Sequence, residues 1–216
     1  MGRRARPGRE GGAPPSPRIR GGEPKGSPGT AGRAPGRALP ARAGAGPVGH
    51  RAPGGLSTRA ARPGDAPALA RIYNEGIEDR VATFETRPRT AAEVRAWMTG
   101  LRAVVAVVER GRVIAWAAIA PYSARPCYAG VGEVSVYVAR DSRGRGAGRL
   151  GLGALARAAS GAGLHKLVGK VLRENRASRA LLKASGFREV GVHRRHGQLG
   201  GAWHDVVVVE RLLSPP

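Results

Sequence analysis

Residues 133–150 read EVSVYVARDSRGRGAGRL. Three segments meet there: a valine-rich run, a loop in which glycine alternates with arginine, and the start of a leucine- and alanine-rich run. The alternation predicts a strand over residues 133–138, and the apolar run that follows predicts a helix over 150–160. Gly144, Gly146 and Gly148 therefore occupy a strand-to-helix joint. The first N–H groups of a helix lack internal partners and carry the positive end of its dipole. Glycine lets such a backbone come close to a bulky anion, and Arg143, Arg145 and Arg149 add positive charge. A pyrophosphate is the natural ligand. A P-loop is excluded, because no Gly-Lys-Ser/Thr follows these glycines. The pattern that fits is R-x-x-G-x-G, carried by Arg143, Gly146 and Gly148.

Outward from this joint the chain alternates strands and helices. Residues 56–61 predict a first strand, and Asp65 is placed to cap a helix whose apolar stripe is Ala68, Leu69, Ile72, Tyr73 and Ile77. Thr90 and Glu93 form a T-x-x-E capping box before a stripe of Trp97, Met98 and Leu101. Residues 104–109 and 113–120 predict a hairpin around Arg110-Gly111-Arg112. A fifth strand is expected over 167–172, a helix over 177–184 capped at Gly186, and two closing strands over 187–193 and 203–212. The helix after the glycine loop is weakened by Gly151 and Gly153, at about 1 kcal/mol each relative to alanine. This order predicts an α/β (α+β) domain: a mixed, mostly antiparallel sheet with helices on both faces.

The chain has 216 residues and a formal charge of +22, which suits anionic partners. Residues 1–56 contain 15 Gly and 10 Pro and no aromatic residue, so they cannot bury enough apolar surface to offset the entropy of ordering. Residues 1–55 are therefore expected to be a disordered Arg/Gly/Pro-rich extension, and residues 56–216 the folded domain. The extension reads as a solvated tail, with a basic arm touching nucleic acid as the alternative. No aromatic interleaves its arginines, so base stacking is unsupported. No apolar run approaches the roughly 18 residues of a membrane helix. Arg3-Arg4 is not followed by the apolar region of an export signal. Cys127 is the single cysteine, so no internal disulfide can form. A cytoplasmic protein is expected, with no specific nucleic-acid or membrane partner.

With a strand before it and a helix after it, EVSVYVARDSRGRGAGRL resembles the coenzyme A binding motif of the GCN5-related N-acetyltransferase (GNAT) superfamily. Further motifs narrow the resemblance: Tyr73-Asn74-Glu75-Gly76-Ile77, Thr83-Phe84-Glu85-Thr86, Arg125-Pro126-Cys127-Tyr128, Glu174-Asn175-Arg176-Ala177-Ser178, Gly186-Phe187 and Trp203-His204-Asp205-Val206 occur in order. Together they look like the phosphinothricin/arsinothricin N-acetyltransferase branch. The closing stretch REVGVHRRHGQLGGAWHDVVVVERLL looks especially like the arsinothricin-resistance group.

The resemblance implies a GNAT fold with splayed fourth and fifth strands and acetyl-CoA as cosubstrate in the gap between them. It implies direct acetyl transfer to the primary amine of a small amino-acid-like substrate, arsinothricin or phosphinothricin, and a homodimer. Methionine sulfone or sulfoximine is the alternative acceptor, and an inactive coenzyme-binding regulator the alternative in another class. The backbone of Ser135, Val136, Tyr137 and Val138 would bind the pantetheine arm. Arg143, Gly144, Arg145, Gly146, Ala147, Gly148 and Arg149 would bind the pyrophosphate, and Asn175 with Ser178 would orient the arm; Asn175 also reads as a plain N-cap. Glu133 matches the family's general base. It heads a valine-rich strand, a costly place for a carboxylate, on the face of Ser135 and Tyr137; the alternative is a surface glutamate at a strand end. Arg125 and Tyr128 match positions that contact the substrate's anion, although Arg125-Pro126 is also a turn. Phe84 and Tyr137 would wall the pocket or serve as core aromatics, with His204 a lesser candidate for that wall. The family's leaving-group acid, a Tyr or His, is replaced by Leu182. His193 and His196 lack a third ligand and read as a solvated basic turn, so no metal is expected. Cys127 reads as structural.

Overall fold

The computed structural model describes residues 50–51, 55–101 and 103–213. Nearly all of the expected 1–55 extension lies outside the described residues. Among the described residues eight strands form one sheet: β1 (His50–Arg51), β2 (Leu56–Ala60), β3 (Ala103–Glu109), β4 (Arg112–Pro121), β5 (Val131–Val138), β6 (Lys166–Leu172), β7 (Arg188–Leu199) and β8 (Ala202–Leu212). Their order is β1-β2-β3-β4-β5-β6-β8-β7. Among these strands only β5 and β6 run parallel. They are the fourth and fifth strands of the sequence reading, because the two-residue β1 precedes the first.

Among the described residues four α-helices cover the two faces: α1 (Ala66–Glu78), α2 (Ala91–Gly100), α3 (Ala147–Gly161) and α4 (Arg176–Ala184). Leu69, Ile72 and Tyr73 of α1 and Val94 of α2 pack with Ala106, Trp116 and Ala118. Leu152, Leu155 and Ala156 of α3 and Leu182 of α4 pack with Ala117, Ile119, Val134, Leu167 and Val207 on the opposite face. Successive residues of β4 thus serve opposite layers, which explains its near-continuous apolar run.

Several local expectations change. Asp65 does not cap α1 with its side chain. It precedes the helix in a short 3-10 turn, where its carboxylate accepts from the Arg62 N–H at 2.7 Å and is gripped by both Arg59 nitrogens at 2.6 and 2.9 Å. The β3–β4 hairpin closes on two residues, Arg110 and Gly111, both with positive φ, because Glu109 pairs with Arg112. That is the twist-compatible choice for a two-residue loop. Helix α3 begins at Ala147, three residues before its expected start, because Gly146 already stands at the N-cap and Gly148 is helical. Strand β7 continues to Leu199, so His193 and His196 lie in a bulged strand rather than a turn, with ring centroids 4.8 Å apart. The Thr90–Glu93 capping box is present.

The parallel pair creates the molecule's opening. β5 and β6 share three pairs, Val131 with Lys166, Gly132 with Leu167 and Glu133 with Val168. Beyond Glu133, β5 follows β4 as far as the Ala115–Val138 pair. Beyond Val168, β6 follows β8 as far as the Leu172–Val206 pair. The two strands therefore splay.

Candidate active site

A groove with a cavity of about 450 Å³ fills this opening. Residues 134–138 of β5 and 169–172 of β6 form its walls. The glycine loop and the first turn of α3 contribute Arg143, Gly144, Gly146, Ala147, Gly148 and Arg149. Asn175, Ser178, Leu181 and Leu182 come from α4 and its cap, and Asp79, Val81 and Ala82 from the segment after α1.

The loop glycines have separate reasons. Gly146 is the N-cap of α3 with φ of 84°, and Gly144 has φ of 75°. A Cβ at either would meet open space, so their backbone conformation, not crowding, requires glycine. Gly148 is different: a Cβ there would come within 2.8 Å of Leu181 Cδ2 and 3.3 Å of Val138 Cγ2. It lets α3 seat closely on α4 and β5. The outcome is an open cradle at the N-terminus of a 15-residue helix, which fits a pyrophosphate.

The arginines divide. Arg149 lines the groove. Arg143 lines it too, with Nη1 2.7 Å from Asp79 Oδ2 and Nε donating to the Val138 carbonyl at 3.3 Å. Arg140 Nη2 holds the other Asp79 oxygen at 2.8 Å. Burial pushes the Asp79 pKa up, but Arg143 and Arg140 outweigh it and hold the carboxyl below its usual range. The Arg145 guanidinium turns instead to Glu109, with Nη1 at 3.2 Å from Oε2. Its side chain is thus engaged outside the groove it was expected to serve.

Asn175 has two roles in one side chain. Its Oδ1 accepts from the Ser178 N–H at 2.9 Å, capping α4, and its Nδ2 donates to the Val81 carbonyl at 2.7 Å. Leu182 is buried in the core on α4 and offers the groove only methyl groups.

Glu133 stands where the strands part. Lys170 Nζ reaches its two oxygens at 3.1 and 3.3 Å. Tyr137, two pleats along, stacks on Trp116 with ring centroids 4.8 Å apart and meets Tyr73 edge-on at 4.8 Å. Burial and the neighbouring Tyr73 push its phenol pKa up, so it stays protonated. Phe84 lies against Gly197, where an added Cβ would touch its ring, and edge-on to His204 at 6.3 Å. His204 Nδ1 contacts Glu174 Oε1. Arg125 and Tyr128 sit at a 3-10 turn between β4 and β5, the guanidinium 5.8 Å over the ring, and Tyr128 packs edge-on to Tyr122. Cys127 in that turn is exposed. The cavity walls include Tyr137 but not Glu133, Phe84, Arg125 or Tyr128.

Lys170 and Asp79 were not singled out in the sequence. Lys170 had a signal, as the one charge inside the apolar run LVGKVL. Asp79 had none, because its partner Arg143 is distant in the chain. Among the described residues no group of three or more His, Cys, Asp or Glu side chains is placed to hold a metal ion, and no helix is long and apolar enough to cross a membrane.

Residues 56–188 match the family described as acetyltransferase (GNAT) domain. The phosphinothricin N-acetyltransferase of Streptomyces coelicolor is 35% identical over 163 residues, 70% of this chain and 95% of that protein. The L-methionine sulfoximine/L-methionine sulfone acetyltransferase of Pseudomonas aeruginosa is 32% identical over 164 residues, 74% of this chain and 95% of that protein. A solved phosphinothricin acetyltransferase from Sinorhizobium meliloti, in complex with acetyl-CoA, matches with a TM-score of 0.69 at 28% identity, covering 74% of this chain and 89% of that one.

Proposed function

The chain belongs to the GNAT acetyltransferase family, in the branch of the phosphinothricin N-acetyltransferases, and on that premise we propose that it acetylates the primary amine of arsinothricin or phosphinothricin as a resistance enzyme. Its activity as an N-acetyltransferase follows from the family; the acceptor is our reading. The observation that carries it is the splay of β5 and β6, with a phosphate cradle along one side of the gap and a carboxylate at the point of parting.

Acetyl-CoA supplies the activated acetyl group. The cradle of Gly144, Gly146 and the α3 N-terminus holds the pyrophosphate, with Arg143 and Arg149 adding charge. Past Glu133 the edge of β5 has no β6 ladder, so its backbone N–H groups can bond the pantetheine and thioester carbonyls. A donor aimed at a developing oxyanion contributes about 3–4 kcal/mol. Glu133 takes the proton from the acceptor's ammonium, which must be neutral to attack. Arg125 and Tyr128 hold the acceptor's acidic group, with Phe84 and Tyr137 as apolar wall. Leu182 cannot donate a proton, so the leaving thiolate is protonated by water or by the proton released from the acceptor.

We place the enzyme in the cytoplasm as a homodimer, with the residues upstream of β1 as an extension outside the domain. Methionine sulfone or sulfoximine is the second acceptor reading, favoured by the Pseudomonas relative. The test is side-by-side thiol release with arsinothricin, phosphinothricin and methionine sulfoximine. Preferred turnover of either of the first two supports the proposal. Preference for the third favours the second reading. Acetyl-CoA binding without turnover of any acceptor would point to a regulator.

A further inference from the structure

Lys170 has no part in the chemistry described so far, yet it lines the groove. Its backbone is fixed by pairing with Val208 of β8. Leu167 and Val171 of the same strand enter the core beside α3. Strand alternation therefore turns Lys170 to the opposite face, that of Glu133 and Tyr137. Because β5 has already left β6 at this level, the side chain enters the gap between the strands. Its ammonium spans both oxygens of Glu133, while the side chain keeps 44% of its exposure. The other cations lining the groove serve its loop end: Arg143 is engaged with Asp79, and Arg149 stands in the first turn of α3.

A carboxylate and an ammonium side by side complement a molecule that carries the opposite charges on one carbon. An α-amino acid is such a molecule: its ammonium faces Glu133 while its carboxylate faces Lys170. The resident pair is half-exposed, and such pairs contribute little net stability, so a ligand that satisfies both charges displaces it at small cost. We infer that Lys170 binds the α-carboxylate of the acceptor and so selects α-amino acids over simple amines. This rests on the proposed acceptor site at Glu133. It leaves Arg125 and Tyr128 to the acceptor's distal acidic group.

The test compares phosphinothricin with its decarboxylated analogue, 3-aminopropyl(methyl)phosphinic acid, which keeps the amine and the phosphinate. Values of kcat/KM for both are measured on wild type, Lys170→Met and Lys170→Arg. Loss of Lys170 also changes the surroundings of Glu133, but that change acts on both acceptors and cancels in their ratio. The expected result is a wild-type preference for phosphinothricin that falls about 10- to 100-fold in Lys170→Met, the range of a charge-assisted hydrogen bond, and largely returns in Lys170→Arg. An unchanged ratio overturns the inference and leaves the proposed function standing. Wild-type protein that acetylates neither compound overturns the phosphinothricin reading, and the inference with it.

Discussion

At the loop end of the groove, the proposed pyrophosphate cradle is built from main chain: two glycines with positive φ, the N-terminus of α3, and one close helix contact at Gly148. At the other end the proposed acceptor site draws on side chains from separate elements: Glu133 of β5, Lys170 of β6, Arg125 and Tyr128 from the β4–β5 connection, and Phe84 from the segment after α1. A backbone cradle serves a ligand shared by a whole family. A set of dispersed side chains can be exchanged one at a time, and that is where we place acceptor choice. The contrast can be tested residue by residue.

The largest effect is expected at Glu133. Glu133→Gln keeps shape and hydrogen-bonding capacity but cannot accept a proton. It should lower the maximal rate about 100-fold or more in steady-state kinetics and leave acetyl-CoA affinity alone. The deficit should shrink as pH rises, because more of the free amine is then present unaided. A near-native rate at neutral pH would make Glu133 a structural strand residue and Lys170 its surface partner. At the opposite end, Gly146→Val forces a β-branched residue into the left-handed region, at about 1–2 kcal/mol, and adds bulk where a phosphate approaches. Acetyl-CoA affinity by calorimetry should fall about 10-fold or more while the fold persists by circular dichroism. Unchanged affinity would remove the cradle from the comparison.

The same contrast explains what could be read from sequence. The loop end was legible because its residues are contiguous, from Arg143 to Arg149, and because glycine reports backbone geometry directly. Strand periodicity gave the sheet, but the alternation that marks β5 carries no sign of where its ladder to β6 stops. The Glu133–Lys170 contact spans two strands, and the Asp79–Arg143 pair joins α1 to the glycine loop; neither follows from local pattern. Arg145 shows the limit of motif reading, since its place in the loop did not fix the direction of its side chain toward Glu109. The extent of β7 was missed because Gly191, Gly197 and the charges between them broke a strand pattern that bulges preserve.

Arg125→Ala sharpens the acceptor end. It removes a contact made before and during reaction, so the KM for the acidic acceptor should rise about 10-fold with little change in kcat. An equal fall in kcat alone would place Arg125 in the transition state instead. Asp79 belongs to the loop end, where it ties the end of α1 to Arg143 and Arg140. Its folded-state pKa is lowered, so its contribution to stability is present above the unfolded carboxylate value of about 4 and is lost as pH falls through the folded value. Asp79→Asn should melt a few degrees below wild type at pH 7, and the gap should close below about pH 4. A gap that persists in acid would mean that shape, not charge, holds the seam.

The smallest effect is expected upstream of β2. Residues 1–56, with 15 Gly and 10 Pro and no aromatic residue, have little to bury. The sheet's first strand, β1, pairs only as His50 with Thr58 and Arg51 with Ser57. It lies on the far side of β2, β3 and β4 from β5. At the usual strand spacing that is roughly 19 Å from the groove. A chain beginning at His50 should match the full chain in melting temperature and turnover. A chain beginning at Leu56 gives up only the β1 pairing, on the order of 1 kcal/mol, and should keep its turnover with at most a small drop in melting temperature. If both truncations lose activity, the upstream segment docks on the domain, and the divide between a backbone-built and a side-chain-built end would need a third region.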